Sequence, residues 1–164
     1  MNGAATRLLV GADPRRTALR SAVLVAAAAL LFGVVMLPVR GEGPSMQPTI
    51  DDGEFLLVSR LAYRWREPRR GDIVAVELAG RRAVYVKRII ALPGERLSFS
   101  HGLVTIDSSL LDEPYVEHRL PWTSEQVQLA PDQYFVVGDN RGMPMELHAL
   151  GAVRRQRLIG PVVW

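Results

Sequence analysis

Residues 83–91 have the sequence Ala-Val-Tyr-Val-Lys-Arg-Ile-Ile-Ala, and this stretch carries the strongest indication of the fold. β-Branched and aromatic residues dominate it, which predicts a β-strand. Side chains of successive strand residues point to opposite faces of a sheet. Lys87 therefore shares its face with Tyr85 and Ile89, whereas Arg88 lies on the opposite face.

Lys87 is the only lysine of the chain, because all the others of its 20 cationic side chains are arginines. An arginine stays protonated near neutral pH, but a buried lysine can lose its proton and act as a base. The uncharged neighbours of Lys87 on its own face predict a pKa well below the free value of about 10.4. An arginine-rich composition that leaves one lysine by chance is the alternative explanation.

Runs with the same strand character occur on both sides of this stretch. Glycine and proline lie between them, as is typical where strands turn within a barrel or sandwich. Residues 95–133 lack this regularity and are predicted to be an insertion with one short hairpin. The sequence therefore predicts a mainly β fold, a barrel or sandwich-like domain with further strands at residues 55–59, 73–78, 103–106 and 134–137.

A run of 19 uncharged residues, 21–39, precedes the strands. As a helix at about 1.5 Å per residue it would extend roughly 28 Å, enough to cross the hydrocarbon core of a bilayer. Arginines precede the run and only Arg40 follows it closely, so the positive-inside rule predicts a cytoplasmic basic tail, residues 1–20, and an extracytoplasmic domain, residues 40–164. A cleaved signal peptide is the alternative, but residues 36–40 lack the small-x-small pattern of a signal-peptide cleavage site.

The charge of the chain is unevenly distributed. The net charge is +3, and residues 1–38 account for all of it with four arginines and one aspartate. A nucleic-acid-binding domain concentrates its positive charge on the folded part, so we expect membrane lipid and not nucleic acid as a partner. The chain has no cysteine, so the exported part has neither disulfides nor thiolate metal sites.

The segment 42–50, Glu-Gly-Pro-Ser-Met-Gln-Pro-Thr-Ile, follows the apolar run directly. Around Ser45, its glycine allows backbone conformations that other residues disfavour, and its two prolines restrict the backbone. Such a turn can hold a hydroxyl outside the regular ladder of a sheet. A proline-rich turn that leaves a membrane is the simpler interpretation of this segment taken alone.

Four segments, in this order, resemble type I signal peptidases, the membrane-anchored Ser/Lys endopeptidases that remove signal peptides from exported preproteins. Residues 43–50 resemble the nucleophile box, and residues 70–74, Arg-Gly-Asp-Ile-Val, resemble the strand box after it. Residues 85–95 are similar to the lysine box, and residues 138–141, Gly-Asp-Asn-Arg, open the last box. The resemblance extends from the anchor to the C-terminus.

The resemblance implies a single N-terminal transmembrane helix and a β catalytic domain of the signal peptidase type, in the bacterial plasma membrane. A serine that hydrolyses a peptide bond needs a base and donors for the oxyanion. Ser45 would be the nucleophile and Lys87 the base, and cleavage would follow small residues at positions one and three before the cut. Preprotein signal peptides are the implied partners, and no metal or other cofactor takes part.

Other residues of the boxes have supporting roles by the same resemblance. The Ser45 N–H would donate to the oxyanion, and Gly43 stands where some members carry a hydroxyl as second donor. An ion pair between Arg88 and Asp139 would help to aim the lysine strand. The predicted site also includes Met46, Pro48 and Thr49 of the nucleophile box and Gly138, Asn140 and Arg141 of the last box.

The last box departs from the family pattern at four positions. Pro144 replaces a serine whose hydroxyl helps to position the lysine, and Leu147 replaces a second serine. Glu146 stands at an aspartate and His148 at an arginine, and we expect these two to imitate the usual ion pair. This departure favours a specialised processing peptidase with few substrates as an alternative to a general enzyme.

Two further alternatives use the same residues differently. Ser45, His148 and Asp139 would form a hydrolase triad if they met in space. A non-catalytic, membrane-anchored β domain that binds peptides would also fit the altered last box. The presence of both Ser45 and Lys87 favours the Ser/Lys peptidase.

Overall fold

The apolar run forms a helix at the N-terminal end of this computed structural model, which describes residues 13–77, 84–149 and 151–163. Helix α1 spans Pro14–Leu30 and continues as a π-helical turn, Leu31–Val35. The most apolar 18-residue window of this 22-residue segment has a mean hydropathy of 2.2 and is not buried within the protein. The segment is long and apolar enough to cross a bilayer.

The helix is shifted toward the N-terminus relative to the predicted span 21–39. It begins early because Asp13 caps it through two backbone N–H groups and Pro14 occupies its first position, where the fixed φ of proline suits a helix. It ends before residue 36 because Met36–Arg40 form a strand. Pro38 lies within that strand, and proline disfavours a continued helix. Of the predicted tail 1–20, residues 1–12 lie outside the described part.

After α1 the described residues form eleven strands in two sheets. The strands are β1 (Met36–Arg40), β2 (Phe55–Ser59), β3 (Ile73–Glu77), β4 (Val84–Ala91), β5 (Arg96–Ser100), β6 (Leu103–Ile106), β7 (Ser109–Leu110), β8 (Val127–Gln128), β9 (Gln133–Val137), β10 (Gly151–Arg154) and β11 (Leu158–Val163). The predicted mainly β fold behind one N-terminal apolar helix is confirmed.

The larger sheet has the strand order β1-β2-β11-β3-β4-β9-β10. Each neighbouring pair in it is antiparallel. Strands β2, β3, β4 and β9 correspond to predicted strands, although predicted residues 78 and 83 lie outside the described part. Strand β11 escapes prediction because Gly160 and Pro161 are unusual within a central strand. A register irregularity between Leu158 and Gly160 accommodates them.

Residues 95–133 contain a second sheet, with the order β7-β6-β5-β8, so the prediction of one short hairpin is wrong. Its two-residue strands β7 and β8 are too short for a periodic pattern to reveal. Leu97 and Phe99 of this sheet pack in one buried cluster with Ile90 and Phe135 of the larger sheet. The segment therefore shares its core with the strands that carry the predicted site.

Candidate active site

Ser45 lies in a 3₁₀ turn, Pro44–Met46, that follows β1. Gly43 precedes this turn with φ +86°, a left-handed conformation that favours glycine. On the other side, Met46 is buried with Ile50 in a core cluster. The turn is thus anchored at both ends, and it holds the half-buried Ser45 away from the strand ladder.

Asp52 anchors the same turn, although its sequence context, Asp-Asp-Gly, indicates only a surface turn. The Gly43 N–H donates to Asp52 Oδ1 at 2.8 Å. Because this N–H is already engaged, Gly43 does not offer it as the second oxyanion donor. The sequence contains no signal for this contact, because it joins two loops across nine positions.

Lys87 lies in the middle of β4, where it pairs with Val74 of β3. Its side chain is only 3% exposed, and its Nζ lies 2.5 Å from Ser45 Oγ. Burial lowers the pKa of Lys87 to about 8, against the opposing effect of the Asp139 carboxylate. The direction agrees with the prediction from its strand neighbours, and it makes a neutral amine accessible near neutral pH.

A cleft of about 550 Å³ is lined by Ser45, Lys87 and parts of two strands. One of these strands is β1, which lies at the end of the larger sheet and pairs only with β2 among the described residues. The other is the first half of β4, since β9 pairs with β4 only from Arg88 onward. Two strand edges with free backbone N–H and C=O groups therefore contribute to the lining of the cleft.

The loop after β9 packs directly on the backbone of Ser45. A Cβ atom at Gly138 would collide with the Ser45 carbonyl oxygen, so only glycine fits at this position. The Asn140 N–H donates to the same oxygen at 3.1 Å, and Asn140 Nδ2 donates to the Pro44 carbonyl at 3.0 Å. The loop thereby fixes the nucleophile turn against the end of β9.

Asp139 connects this loop to the strand that carries Lys87. Arg88 Nε donates to Asp139 Oδ1 at 2.8 Å, and Arg88 Nη2 donates to Oδ2 at 2.6 Å. Thr49 Oγ1 donates to Asp139 Oδ2 at 2.5 Å. The carboxylate is fully buried, and such a bidentate pair restricts both partners in position and orientation. The ion pair implied by the resemblance is therefore present next to Lys87.

Glu113, in the segment 95–133, is a supporting residue that sequence reasoning missed. It is 2% exposed, and it accepts a hydrogen bond from Arg141 Nη2 at 2.6 Å and one from the Tyr115 hydroxyl at 2.9 Å. The Tyr115 ring lies 3.9 Å from the Arg88 guanidinium. Arg141 in turn donates through Nε to the Gly138 carbonyl at 2.8 Å. A carboxylate in an irregular segment gives no sequence signal for such a role.

The expected pair between Glu146 and His148 is not formed. Glu146 is exposed in the 3₁₀ turn Met145–Leu147, whereas His148 is 8% exposed and lies edge-on against Trp122, with ring centroids 4.7 Å apart. Burial, and then the nearby positive charge of Lys87, lower the pKa of His148 to about 4. The ring is therefore uncharged at neutral pH and cannot replace the arginine of an ion pair.

The alternative triad is not assembled by hydrogen bonds either. Within the described residues, neither ring nitrogen of His148 has a hydrogen-bond partner. The carboxylate of Asp139 is bound to Arg88 and Thr49. The Ser45 hydroxyl has Lys87 Nζ as its partner. The geometry therefore favours lysine over histidine as the base.

The remaining predicted residues lie at the rim. Pro48 is exposed and, together with Asn140, lines a smaller cavity of about 290 Å³. Pro144 is exposed and directly precedes the turn Met145–Leu147. In the part of the chain that the structure describes, no cluster of three or more His, Asp or Glu side chains is arranged to hold a metal ion.

Comparison with known proteins places this geometry in context. A family model described as "Signal peptidase, peptidase S26" matches residues 15–164. A relative from Synechocystis sp., a probable signal peptidase I-2, is 35% identical over 122 residues, which is 71% of this chain and 56% of that protein. Signal peptidase I of Bacillus licheniformis is 34% identical over 149 residues, which is 84% of this chain and 80% of that protein.

A solved structure is similar in fold. The crystal structure of a signal peptidase I from Enterococcus faecalis superposes with a TM-score of 0.50 at 23% identity, over 60% of this chain and 98% of that chain. The chain spans little more than half the length of the Synechocystis relative but most of the Bacillus one.

Proposed function

Because this chain belongs to the signal peptidase family, peptidase S26, we propose that it is a serine endopeptidase that cleaves signal peptides from exported preproteins. The observation that supports this best is the distance of 2.5 Å between Lys87 Nζ and Ser45 Oγ. Lys87 is buried and its pKa is lowered to about 8, so a larger fraction of the amine is neutral near neutral pH than in a free lysine, and this amine is in contact with the serine hydroxyl. A nucleophile and its base are then both within reach.

The reaction proceeds in two stages at this pair. Lys87 takes the Ser45 proton as the oxygen attacks the peptide carbonyl, and it then gives that proton to the leaving amine of the mature protein. The acyl group of the signal peptide remains on Ser45 as an ester. Lys87 next removes a proton from a water molecule, whose oxygen attacks the ester carbon. The bond to Ser45 Oγ then breaks, Lys87 returns the proton to Oγ, and the signal peptide is released with a free carboxylate.

The negative charge on the carbonyl oxygen needs donors during both stages. Ser45 lies within a 3₁₀ turn whose first residue is Pro44. The first N–H groups of a helical turn have no partner within it. The Ser45 N–H is therefore the oxyanion donor in our proposal, and the Gly43 N–H is not, because it is bound to Asp52.

The cleft is suited to an extended peptide. Its lining combines the free edge of β1, the first half of β4, whose edge away from β3 has no partner strand among the described residues, and the apolar side chains of Met46 and Ile50. Main-chain hydrogen bonds to a strand edge bind a peptide whatever its sequence, while pockets select alternate side chains. This arrangement is consistent with signal peptides that share small residues at positions one and three before the cut but otherwise vary.

The site lies close to the bilayer in this proposal, with the N-terminus in the cytoplasm and the β domain outside. Arg60 follows β2 and binds the C-terminal end of the apolar helix: its N–H donates to the Val35 carbonyl at 2.9 Å, and its Nη1 donates to the Gly33 carbonyl at 2.8 Å. A cation is favourable at this end of a helix. Trp65, which is 86% exposed, follows in the next turn and suits the headgroup region of the outer leaflet.

The decisive experiment is cleavage of a synthetic signal peptide with an Ala-x-Ala site by the full chain in detergent. Ser45→Ala and Lys87→Ala should each abolish turnover, while Ser100→Ala, which changes an exposed serine remote from the turn, should retain it. The rate of the wild type should rise with pH, reach half of its maximum near pH 8, the pKa of Lys87, and level off above that pH. Equal turnover by Lys87→Ala and wild type would exclude the lysine base, and no cleavage by any of the chains would favour a peptide-binding domain.

A further inference from the structure

Two buried side chains beside Ser45 have hydrogen-bonding groups without partners. Within the described residues, His148 Nδ1 and Nε2 are both buried and both unpaired, and Lys87 Nζ is bonded only to Ser45 Oγ. A neutral amine has one lone pair and two N–H groups. When its lone pair accepts the Ser45 hydroxyl proton, both N–H groups are left without an acceptor. Unpaired groups of this kind are unfavourable in a protein interior.

His148 is held against the backbone that supports the nucleophile turn. Its Nδ1 lies 3.3 Å from the position that a Cβ atom of Gly138 would occupy, and that glycine is in close contact with the Ser45 carbonyl. The other side of the ring contacts Trp122 edge-on. His148 is thus confined between the aromatic core and the backbone of the nucleophile turn.

The charges around His148 keep its ring neutral. Two cations, Lys87 on β4 and Arg141 on the loop after β9, disfavour the protonated ring, while the backbone of Asn140 lies near enough to favour it without making a hydrogen bond of normal geometry. A neutral imidazole has one donor and one acceptor nitrogen. The ring therefore offers the acceptor that the Lys87 amine lacks.

We propose that His148 is a positioning residue for Lys87: its acceptor nitrogen binds an N–H of the amine through one bridging water and so turns the amine lone pair toward Ser45 Oγ. The proposal rests on the Ser45–Lys87 reaction proposed above. A lysine amine on a four-carbon stem rotates freely unless its N–H groups are bound. A water that bridges two buried polar groups is nearly as favourable as a direct hydrogen bond. His148 would thereby do what a hydroxyl at position 144 cannot do in this chain, because Pro144 has none.

The test compares His148→Phe with wild type in the signal-peptide assay. Phenylalanine keeps the ring and its contact with Trp122 but removes both nitrogens. Loss of one such hydrogen bond should lower kcat about 10-fold with KM unchanged. The lost acceptor also stabilised the ammonium, so the acid limb of the pH profile should move down by about half a pH unit. His148→Gln, which retains an acceptor and a donor, should recover part of kcat, and His118→Phe, at an exposed histidine, should match wild type.

A role in packing alone predicts a different result. In that case His148→Phe would retain the kcat and the acid limb of wild type, which overturns the proposal. If His148→Phe does not unfold cooperatively, the comparison is made between His148→Gln and His148→Met, whose side chains are similar in size. A higher kcat for the glutamine variant supports the proposal, and equal kcat values overturn it. These outcomes are separate from failure of the Ser/Lys reaction itself, which would appear as turnover by Lys87→Ala.

Discussion

Replacing Lys87 by methionine should abolish activity and at the same time stabilise the folded protein at neutral pH. Methionine has a similar length and no charge, so it fills the space of the buried lysine stem without burying an ammonium group. The wild type holds that ammonium in a site where only 3% of the side chain is exposed. The catalytic requirement for a low pKa and the stability of the fold are therefore in conflict at this position.

The size of the effect follows from the pKa of Lys87, which burial lowers from 10.5 to about 8. At about 1.4 kcal/mol per pH unit, the protonated side chain is about 3 kcal/mol less favourable in the folded than in the unfolded chain. Below pH 8 Lys87 is protonated in both states, and the folded wild type carries the full penalty. Between pH 8 and pH 10.5 only the unfolded chain binds the proton, so the stability of the wild type rises with pH.

The measurement is reversible denaturant unfolding of the full chain in detergent, followed by tryptophan fluorescence at pH 7 and pH 10. The variant should be more stable at pH 7, and its advantage over wild type should shrink by about 2 kcal/mol at pH 10. Arg96→Met, at an exposed cation, serves as the control, because its difference from wild type should not change with pH. A Lys87→Met advantage of the same size at both pH values would refute the reasoning, since any packing difference is independent of pH.

Two further predictions concern residues outside the catalytic pair. Glu113→Gln removes the negative charge that compensates Arg141, a residue that is only 1% exposed, and should lower the free energy of unfolding by about 3 kcal/mol. The control Glu117→Gln, at an exposed glutamate, should have little effect on stability. Equal unfolding midpoints for the two variants would contradict a buried ion pair. In bilayers, the fluorescence of Trp65 is the difference between the signals of wild type and Trp65→Phe, and lipids brominated near the headgroup should quench it. Quenching no stronger than that of a water-exposed indole would argue against contact between Trp65 and the membrane.

Much of the local structure follows from the sequence because it depends on neighbours along the chain. The short apolar and β-branched run of residues 103–106 and the apolar run of residues 55–59 match β6 and β2 to the residue. The strand around Lys87 is indicated by the same kind of pattern. The sequence does not indicate strand β11, because Gly160 and Pro161 interrupt its pattern. It does not indicate the two-residue strands of the second sheet either, because they are too short to show a period.

The candidate site divides in the same way. The sequence by itself determined which residues have the chemistry, since a lysine with uncharged neighbours on its own strand face and a serine in a restricted turn are local features. Only the tertiary structure decided that Ser45 and Lys87, 42 positions apart, lie within 2.5 Å, that Glu113 supports the loop after β9, and that His148 is neutral and unpaired rather than bound to Glu146. A local pattern specifies which face of a segment is apolar, but long-range packing decides which faces meet and how deeply each charge is buried.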